Sequence, residues 1–595
     1  MKFILILIYF LREEIKLNFR RLKITYVFIK DFSIFRYFLY LFNNSSIPCR
    51  DELFRNYLHE NSQKWKNKSN SRSVNNKNIL ITNMLNHAGY TSAEILIGKN
   101  LMEIFNASGI GLLNEYNLKK ILLYKSYGID KIIILKKLNI FTRLMYFIKA
   151  YLIIRSYNNM DEFLKFNINN VDIGKAVYDH YIRFSGVGTT NEFKREFYVN
   201  LSKCLLIYHQ INKYLKKFNI IASVQSEKQF IPEAIIFQST LVNGIDAYSR
   251  LGPNNAFTVK RYRDISERYT LRDRFSKKLF DFVANNMRKE AFESGEEIIR
   301  LKFQGLQKYN VRDNEYYNLP EYAKGKNITK IEKKNITKKE MCEKLGWNPN
   351  TPIVAIFSSD LTDGVFVSWS LFRDRLLWLR ETLLKIKKIN SVNWLIKPHP
   401  NDEINKVVTS TTSEYEKSCS SYNHIKLFPN DIAKNSIPKI IDTIISGAGS
   451  VVNLEYPCFG IPVISCAEMQ NTGFGYTIDI KSKREYFLYL ENIIKLEKLK
   501  NREIELAKIY IFILMKLAIV PTNLLVDNDT REINEKKYWT DMMQLLNRER
   551  QDEDLLIKMM KIQVENNDMH TVDYRMIKKI DSKKELNILS EGLNP

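Results

Sequence analysis

The residues with the clearest chemical potential form the tetrapeptide Lys397-Pro398-His399-Pro400, which ends the apolar run at 393–397. Proline restricts the backbone, so the two prolines hold His399 in a stiff loop. An imidazole and an ammonium group held in this way can neutralise negative charge on a departing phosphate. The alternative is a rigid turn in which the histidine only caps the strand.

A glycine-lined turn lies further along the chain and consists of Ser446, Gly447, Ala448, Gly449 and Ser450. An apolar run typical of a buried strand ends at Ser446, and Ser450 can cap the following helix. Amides at a helix N-terminus favour a phosphate by about 0.3–1 kcal/mol from the helix dipole alone. Glu455 falls one to two turns into this helix, where its carboxylate can accept hydrogen bonds from a ribose diol. The alternative is a strand–turn–helix unit that needs glycine only to close the turn.

Both loops need strands that end at one edge of a parallel sheet, because ligands of such sheets bind where the strand ends converge. The pattern of apolar runs, glycine loops and amphipathic segments begins at 78–85, is interrupted by charged residues around 309–340, and restarts at 351–359. It predicts an α/β protein with two Rossmann-like domains facing a cleft. The predicted parts are an N-terminal basic and aromatic segment at 1–60, a linker at 61–78, a first α/β domain at 79–310, a connector at 311–345, a second α/β domain at 346–485, and a helical tail at 486–595.

The chain has 595 residues, with 91 Lys+Arg against 66 Asp+Glu and a net charge of +25. This surplus indicates an anionic partner such as nucleic acid, a phospholipid surface or phosphorylated metabolites, although biased composition alone is the alternative. We find no nucleic-acid-binding module in the sequence, so we expect no nucleic-acid partner. The six cysteines are scattered without a C-x-x-C pair, which indicates neither zinc nor disulfides and favours a reducing, cytoplasmic compartment.

The two loops in this order resemble the carboxy-terminal half of GT-B-fold glycosyltransferases, and most closely the bacterial capsule and surface-polysaccharide transferases. That family carries an H-P motif followed by S-x-x-G, a glutamate and G-x-P. The resemblance covers roughly residues 79–490 and is sharpest over 390–480. The matching residues are His399, Pro400, Ser446, Gly447, Glu455, Gly460 and Pro462.

The resemblance implies a GT-B-like enzyme whose second domain binds a nucleotide-activated sugar and whose first domain receives a glycan or lipid-linked acceptor. The segment 473–479, with Gly475 and Thr477, looks like the loop that closes over the nucleotide in such proteins. The H-P element favours a CMP-linked donor over a UDP-linked one without excluding either. No metal cofactor is expected, because such enzymes neutralise the phosphates with basic side chains and helix ends. The acidic triplets at 527–529 and 552–554 are interpreted as solvated faces of the tail.

A sugar hydroxyl needs a general base, since its own pKa is far above neutrality. Glu227 is our first candidate because it follows a predicted strand directly, Asp179 is the second, and His87 is the third. Asp363, in the segment 358–366, is a fourth catalytic candidate. Acidic-acidic-Gly segments are catalytic in related sialic-acid and Kdo transferases, but here two residues separate Asp360 from Asp363, which weakens that comparison.

The amino-terminal segment has an apolar run of eight residues, from Phe3 to Phe10, which is too short to span a bilayer and lacks a cleavage site. The following residues mix aromatics with Arg and Lys. This mixture is compatible with peripheral contact at the inner face of the cytoplasmic membrane, or with a helix that covers the core.

Three alternatives to a glycosyltransferase stay open at this point. A polyol-phosphate transferase of the teichoic-acid type shares the domain shape and an H-P element, and a sugar-nucleotide epimerase shares the fold. The non-enzymatic alternative is a basic scaffold that binds nucleic acid or a membrane. The donor sugar, the linkage and the stereochemical outcome are not readable from these residues.

Overall fold

The structure is a computed structural model of the chain. It describes residues 3–16, 51–66, 76–85, 87–135, 139–304, 333–399, 402, 407–448, 450–526, 536–546 and 554–578. Pro400 and Gly449 therefore lie outside the described residues, as do residues 17–50 and the acidic triplet at 527–529.

Within the described ranges, thirteen strands form two sheets. Their bounds are β1 Asn78–Asn83, β2 Ser108–Leu113, β3 Lys131–Ile134, β4 Ile220–Gln225, β5 Asp246–Leu251, β6 Ala256–Tyr262, β7 Ile353–Phe357, β8 Asn393–Lys397, β9 Ile425–Leu427, β10 Thr443–Ser446, β11 Val463–Ser465, β12 Ile478–Asp479 and β13 Val520–Pro521.

The first sheet has the order β13-β6-β5-β4-β1-β2-β3, parallel from β5 to β3 and antiparallel where β6 joins β5 and β13 joins β6. Its interior strand β1 is buried along its whole length, because helices cover both faces of the sheet. The helices of this half are residues 3–16, Glu52–Lys66, Ala88–Ile104, Leu118–Ser126, Ile140–Arg155, Met160–Phe163, Ile173–Ser185, Arg195–Lys217, Glu233–Val242, Lys277–Asn286 and Arg288–Gln304.

The second sheet has the order β12-β11-β10-β7-β8-β9, and each of its pairings is parallel. Its central strand β7 has the apolar sequence IVAIF and is fully buried, as expected for a parallel strand covered on both faces. The helices of this half are Lys338–Leu345, Arg375–Ile386, Thr411–Ser418, Ile437–Ile440, Ser450–Glu455 and Lys483–Glu491.

The carboxy-terminal part of the chain returns to the first domain. The helix Asn501–Phe512 packs on Arg288–Gln304, and β13 then pairs with β6. The later helices Lys536–Leu546, Leu555–Glu565 and Tyr574–Lys578 contribute buried residues to the core of the first domain. The predicted tail at 486–595 thus contains a strand and part of another domain's core.

Two parallel-sheet α/β domains confirm the predicted fold class. The helix Glu52–Lys66 extends into the first residues of the predicted linker, and Trp65 is buried on the core. Among the described residues, no helix is both long and apolar enough to cross a membrane.

Candidate functional site

The carboxyl ends of three neighbouring strands form one edge of the second sheet. Phe357 at the end of β7 is in register with Lys397 of β8 on one side and with Ser446 of β10 on the other. Because neighbouring strands are about 4.8 Å apart, the two predicted loops start on the same edge, about 10 Å from each other. The strand topology therefore brings together the two segments that the sequence singles out.

Ser358 links the ends of β7 and β8. Its hydroxyl accepts a hydrogen bond from the His399 amide at 3.0 Å, and the Thr411 hydroxyl lies 2.9 Å from the same oxygen. Its amide donates to the Lys397 carbonyl at 3.1 Å. The backbone of the His-Pro loop is thus held by hydrogen bonds as well as by its prolines.

The His399 side chain is partly buried, and burial lowers its pKa from the ordinary value even though the Asp360 carboxylate opposes the shift. The imidazole is therefore neutral at pH 7. It can exchange hydrogen bonds with a phosphate, but positive charge in this loop must come from another residue.

Lysines supply this charge. Burial lowers the pKa of Lys397 to about 8, and the neighbouring ammonium groups of Lys333 and Lys434 add to the shift. Burial also lowers the pKa of Lys434, where Lys302 adds further repulsion. Cations that destabilise one another in this way favour an incoming anion, since the anion would relieve the repulsion.

Glu455 lies among these lysines and is almost completely buried. Its carboxylate forms an ion pair with Lys302 at 2.6 Å and another with Lys434. Burial alone would raise the pKa of this carboxyl, but the two ammonium groups hold it below the ordinary value. A ribose diol would have to displace a lysine to reach this carboxylate, and that role stays a prediction.

Gly447 is buried under the turn after β10. A Cβ atom at this position would come within 2.4 Å of the Trp378 ring, so close packing requires glycine here. Ser446 is also fully buried at the end of β10. Gly449 is outside the described residues, and for Ser450 only the backbone is described, as the first residue of the short helix. The predicted phosphate contacts of these residues stay predictions.

Asp179 belongs to the first domain and lies against the loop that follows β7, at the carboxyl edge of the second sheet. It lies on the helix Ile173–Ser185 and is 4% exposed, and its Oδ1 accepts a hydrogen bond from the Val365 amide at 2.9 Å. Burial raises the pKa of this carboxyl to about 7, although the Arg375 and Arg183 guanidinium groups oppose the shift. A carboxylate with this pKa is suited to accepting a proton near neutral pH.

Arg183 joins Asp179's helix to the loop after β7. Its guanidinium lies 3.7 Å from Asp360 and 3.5 Å from Asp363. Asp363 is the more exposed of the two acids, and burial raises the pKa of its carboxyl. Asp363 also interacts electrostatically with Glu227, which forms a 2.8 Å ion pair with Arg272. Three of the four predicted catalytic candidates, Asp179, Glu227 and Asp363, therefore lie near one another at the domain interface, and their catalytic roles stay predictions.

His87 has a local structural role. It is the N-cap of the helix Ala88–Ile104, where its Nδ1 accepts a hydrogen bond from the Tyr90 amide at 3.4 Å. The ring is buried and contacts the Tyr90 ring edge-on, with centroids 4.5 Å apart. This cap explains the residue type at position 87, and its predicted catalytic role stays a prediction.

The predicted closing loop at 473–479 is packed against the returning chain. Phe474 and Tyr476 are buried next to Tyr510 of the helix Asn501–Phe512. The Thr477 hydroxyl accepts from Asn471 at 2.9 Å and donates to Asp479 at 2.8 Å, and Gly475 has a φ of +85°. The loop is thus held by packing on the crossing helix and by its own hydrogen bonds, and its predicted closure over the nucleotide stays a prediction.

Two groups of polar residues at the domain interface were not predicted from the sequence. Lys302 and Lys434 lie in charged segments with no local signal that would single them out. Asp374 does carry a signal, since an acid before an apolar helical pattern indicates an N-cap. It caps the helix Arg375–Ile386 and also accepts hydrogen bonds from the Tyr178 and Thr189 hydroxyls of the first domain, both at 2.6 Å.

No group of three His, Cys, Asp or Glu side chains within the described parts of the chain is placed to hold a metal ion. The expectation that no metal is needed stays a prediction.

A scan against protein-family models gives no match, and neither does a search of curated protein sequences. Two solved structures are similar at 10% sequence identity. The Anabaena protein HepE, solved with UDP and glucose, covers 73% of this chain and 94% of its own, with a TM-score of 0.22. The match to the UDP-GlcNAc 2-epimerase of Methanocaldococcus jannaschii covers 80% of this chain and 100% of the epimerase chain, with a TM-score of 0.17. At these scores, the fold assignment is based on the sheet topology and not on either likeness.

Proposed function

We propose that this protein is a nucleotide-sugar-dependent glycosyltransferase that builds a bacterial surface polysaccharide. The observation that carries the proposal is the charge arrangement across the domain interface. Lysines crowd the carboxyl edge of the second sheet, and a buried carboxylate with a raised pKa, Asp179, faces that edge from the first domain. An anionic donor and a hydroxyl acceptor need these two environments next to each other.

On this proposal, the donor phosphates lie beside Lys397 and Lys434, where they relieve the repulsion between the two ammonium groups. The neutral His399 ring donates a hydrogen bond to a phosphate oxygen. The departing nucleotide gains a negative charge as the glycosidic bond breaks, and fixed ammonium groups stabilise that charge.

Asp179 is the proposed general base, ahead of Glu227. The Glu227 carboxylate is already engaged by Arg272 in a 2.8 Å ion pair, so an acceptor hydroxyl would have to compete with that guanidinium. Asp179 has no such close ion pair among its described contacts, since its described hydrogen bond comes from the Val365 amide. An acceptor hydroxyl, from a glycan or a lipid-linked saccharide, would enter from the first domain.

The experiment is calorimetric titration of the purified protein with CMP, UDP and their sugar conjugates. We expect one nucleotide to bind, and we expect Lys397→Ala to weaken it at least tenfold and His399→Ala to weaken it less. Lys339→Ala is the matched control, because Lys339 is 79% exposed on the second domain. Equal affinity in wild type and Lys397→Ala would reject the phosphate site.

Product analysis with the binding nucleotide's sugar conjugate and acceptor extracts distinguishes the alternative enzymes. Transfer of the sugar alone supports the proposal. A phosphodiester product would assign a polyol-phosphate transferase, and consumption of the donor without any acceptor would assign an epimerase.

A further inference from the structure

Two surface helices of the first domain are apolar on two opposite faces. They are residues 3–16 and the helix Ile140–Arg155. A surface helix of a globular protein normally has one apolar face, which it buries against the core. A second apolar face is therefore not explained by folding of the domain.

The two helices pack against each other in antiparallel orientation. Phe10 stacks on Phe147 with ring centroids 4.6 Å apart, and Phe3 contacts Tyr151 at 4.8 Å. One end of the pair is closed by an ion pair between Glu14 and Arg143. Their inner faces thus form one layer on the core of the first domain.

The exposed apolar residues of the outer faces have the same spacing on both helices. In the first helix Ile4, Ile8, Leu11 and Ile15 are 58%, 56%, 41% and 56% exposed. In the second helix Phe141, Met145, Ile148 and Leu152 are 75%, 71%, 41% and 62% exposed. The spacing of four, three and four residues places each set in one stripe along its helix. We call these eight residues the outer stripes.

Cationic side chains border the outer stripes. At about 100° per residue, Lys149 and Arg155 project on either side of the stripe of the second helix, and Arg12 projects beside that of the first. All three are exposed. The two helices together carry five Lys and Arg against two Glu, and both glutamates form ion pairs with cations of the same two helices.

We propose that the outer stripes dock this protein on an anionic lipid bilayer, with both helices lying in the plane of the interface. Apolar stripes flanked by cations match the boundary between acyl chains and anionic headgroups. A second copy of the chain would offer the same cations and would repel them. The inference does not depend on the proposed transferase activity. If both hold, the first domain faces the layer in which a lipid-linked acceptor resides.

The experiment is vesicle flotation of the full-length protein. The vesicles contain phosphatidylcholine alone or phosphatidylcholine with 30% phosphatidylglycerol. We expect the protein to float with the anionic vesicles. Salt at 0.5 M should release only part of the bound protein, because the apolar outer stripes contribute binding that salt does not weaken. The triple variant Phe141→Ser/Met145→Ser/Leu152→Ser should float at least tenfold less.

The matched control is Leu384→Ser/Leu488→Ser, because these two leucines of the second domain are 60% and 48% exposed. The control should float like wild type, and all variants should keep the wild-type melting temperature and nucleotide affinity. Unchanged flotation of the triple variant would overturn the proposal. So would a wild-type dimer that the triple variant converts to a monomer without vesicle binding, which would assign the face to a second copy. A wild type that does not float while the triple variant melts at a lower temperature would assign the face to residues 17–50.

Discussion

The carboxyl edges of the two sheets treat buried charge differently. At the edge of the first sheet, Glu94 accepts a hydrogen bond from Asn83, which itself accepts one from Lys120, and Glu227 forms an ion pair with Arg272. At the edge of the second sheet, Lys302 and Lys434 form ion pairs with Glu455, while burial and the ammonium groups of Lys333 and Lys434 lower the pKa of Lys397.

On the proposed function, the two edges have different tasks. Burial raises the pKa of the Asp179 carboxyl, on the helix Ile173–Ser185 of the first domain, to about 7. Ammonium groups that lower one another's pKa at the second edge favour binding of an anion. On the proposed function, Asp179 of the first domain accepts the proton and the edge of the second sheet binds the phosphates.

The substitution Asp179→Asn gives the largest expected effect. The amide keeps an oxygen for the Val365 amide but cannot accept a proton, so kcat should fall about 100- to 10,000-fold. Nucleotide affinity, measured by calorimetry, should stay within twofold of wild type. Asp281→Asn, on the exposed surface of the first domain, is the control. A loss of nucleotide affinity equal to the loss of activity would show that the two edges do not have separate tasks.

The substitution Glu455→Gln tests the second edge. It leaves Lys302 and Lys434 without their carboxylate, so the free energy of unfolding should fall by about 3 kcal/mol. Inorganic phosphate should raise the melting temperature of this variant more than that of wild type, because it replaces the lost negative charge. Glu343→Gln, which removes a carboxylate that is 65% exposed, should change neither quantity. If phosphate gives no extra stabilisation, the lysines do not form an anion site.

The pH dependence of kcat/KM is the smallest expected effect and reports both edges. Asp179 must be deprotonated to act as base, so the rate should rise about tenfold per pH unit until about pH 7. Lys397 must be protonated to bind phosphate, so the rate should fall above about pH 8. Lys397→Arg should move the alkaline fall upwards and leave the acidic rise unchanged, because arginine stays charged. A profile without the acidic rise would exclude Asp179 as the base.

The strands could be predicted from the sequence where apolar runs are long and bounded by glycine. The strands β1, β7, β8 and β10 lie in the segments that the apolar pattern indicates, and the common edge of β7, β8 and β10 follows from parallel topology. Convergence of Asp179, Glu227 and Asp363 was implied only by their positions near strand ends and helices. The return of the chain to the first sheet was not predicted, because β13 has two residues and no periodicity.

The site was less readable because its chemistry depends on partners distant in sequence. Nothing near Glu455 indicates that Lys302, some 150 residues earlier, will pair with it. Similarly, the sequence suggests that Gly447 lets the backbone approach a phosphate. Only the folded chain shows that the Trp378 ring packs against this position and leaves no room for a side chain. The raised pKa of Asp179 depends on burial between two domains, which no local pattern encodes.

The strand β13 has a consequence for synthesis of the protein. Its partner β6 ends at Tyr262, but the closing residues Val520 and Pro521 leave the ribosome about 260 residues later. At about 5–20 residues per second, that delay is roughly 10–50 s. During this time the nascent first domain lacks Trp539, which later packs on Phe54 and Tyr57. The apolar core of the first domain is therefore incomplete until the segment that ends at Ile577 has been synthesised.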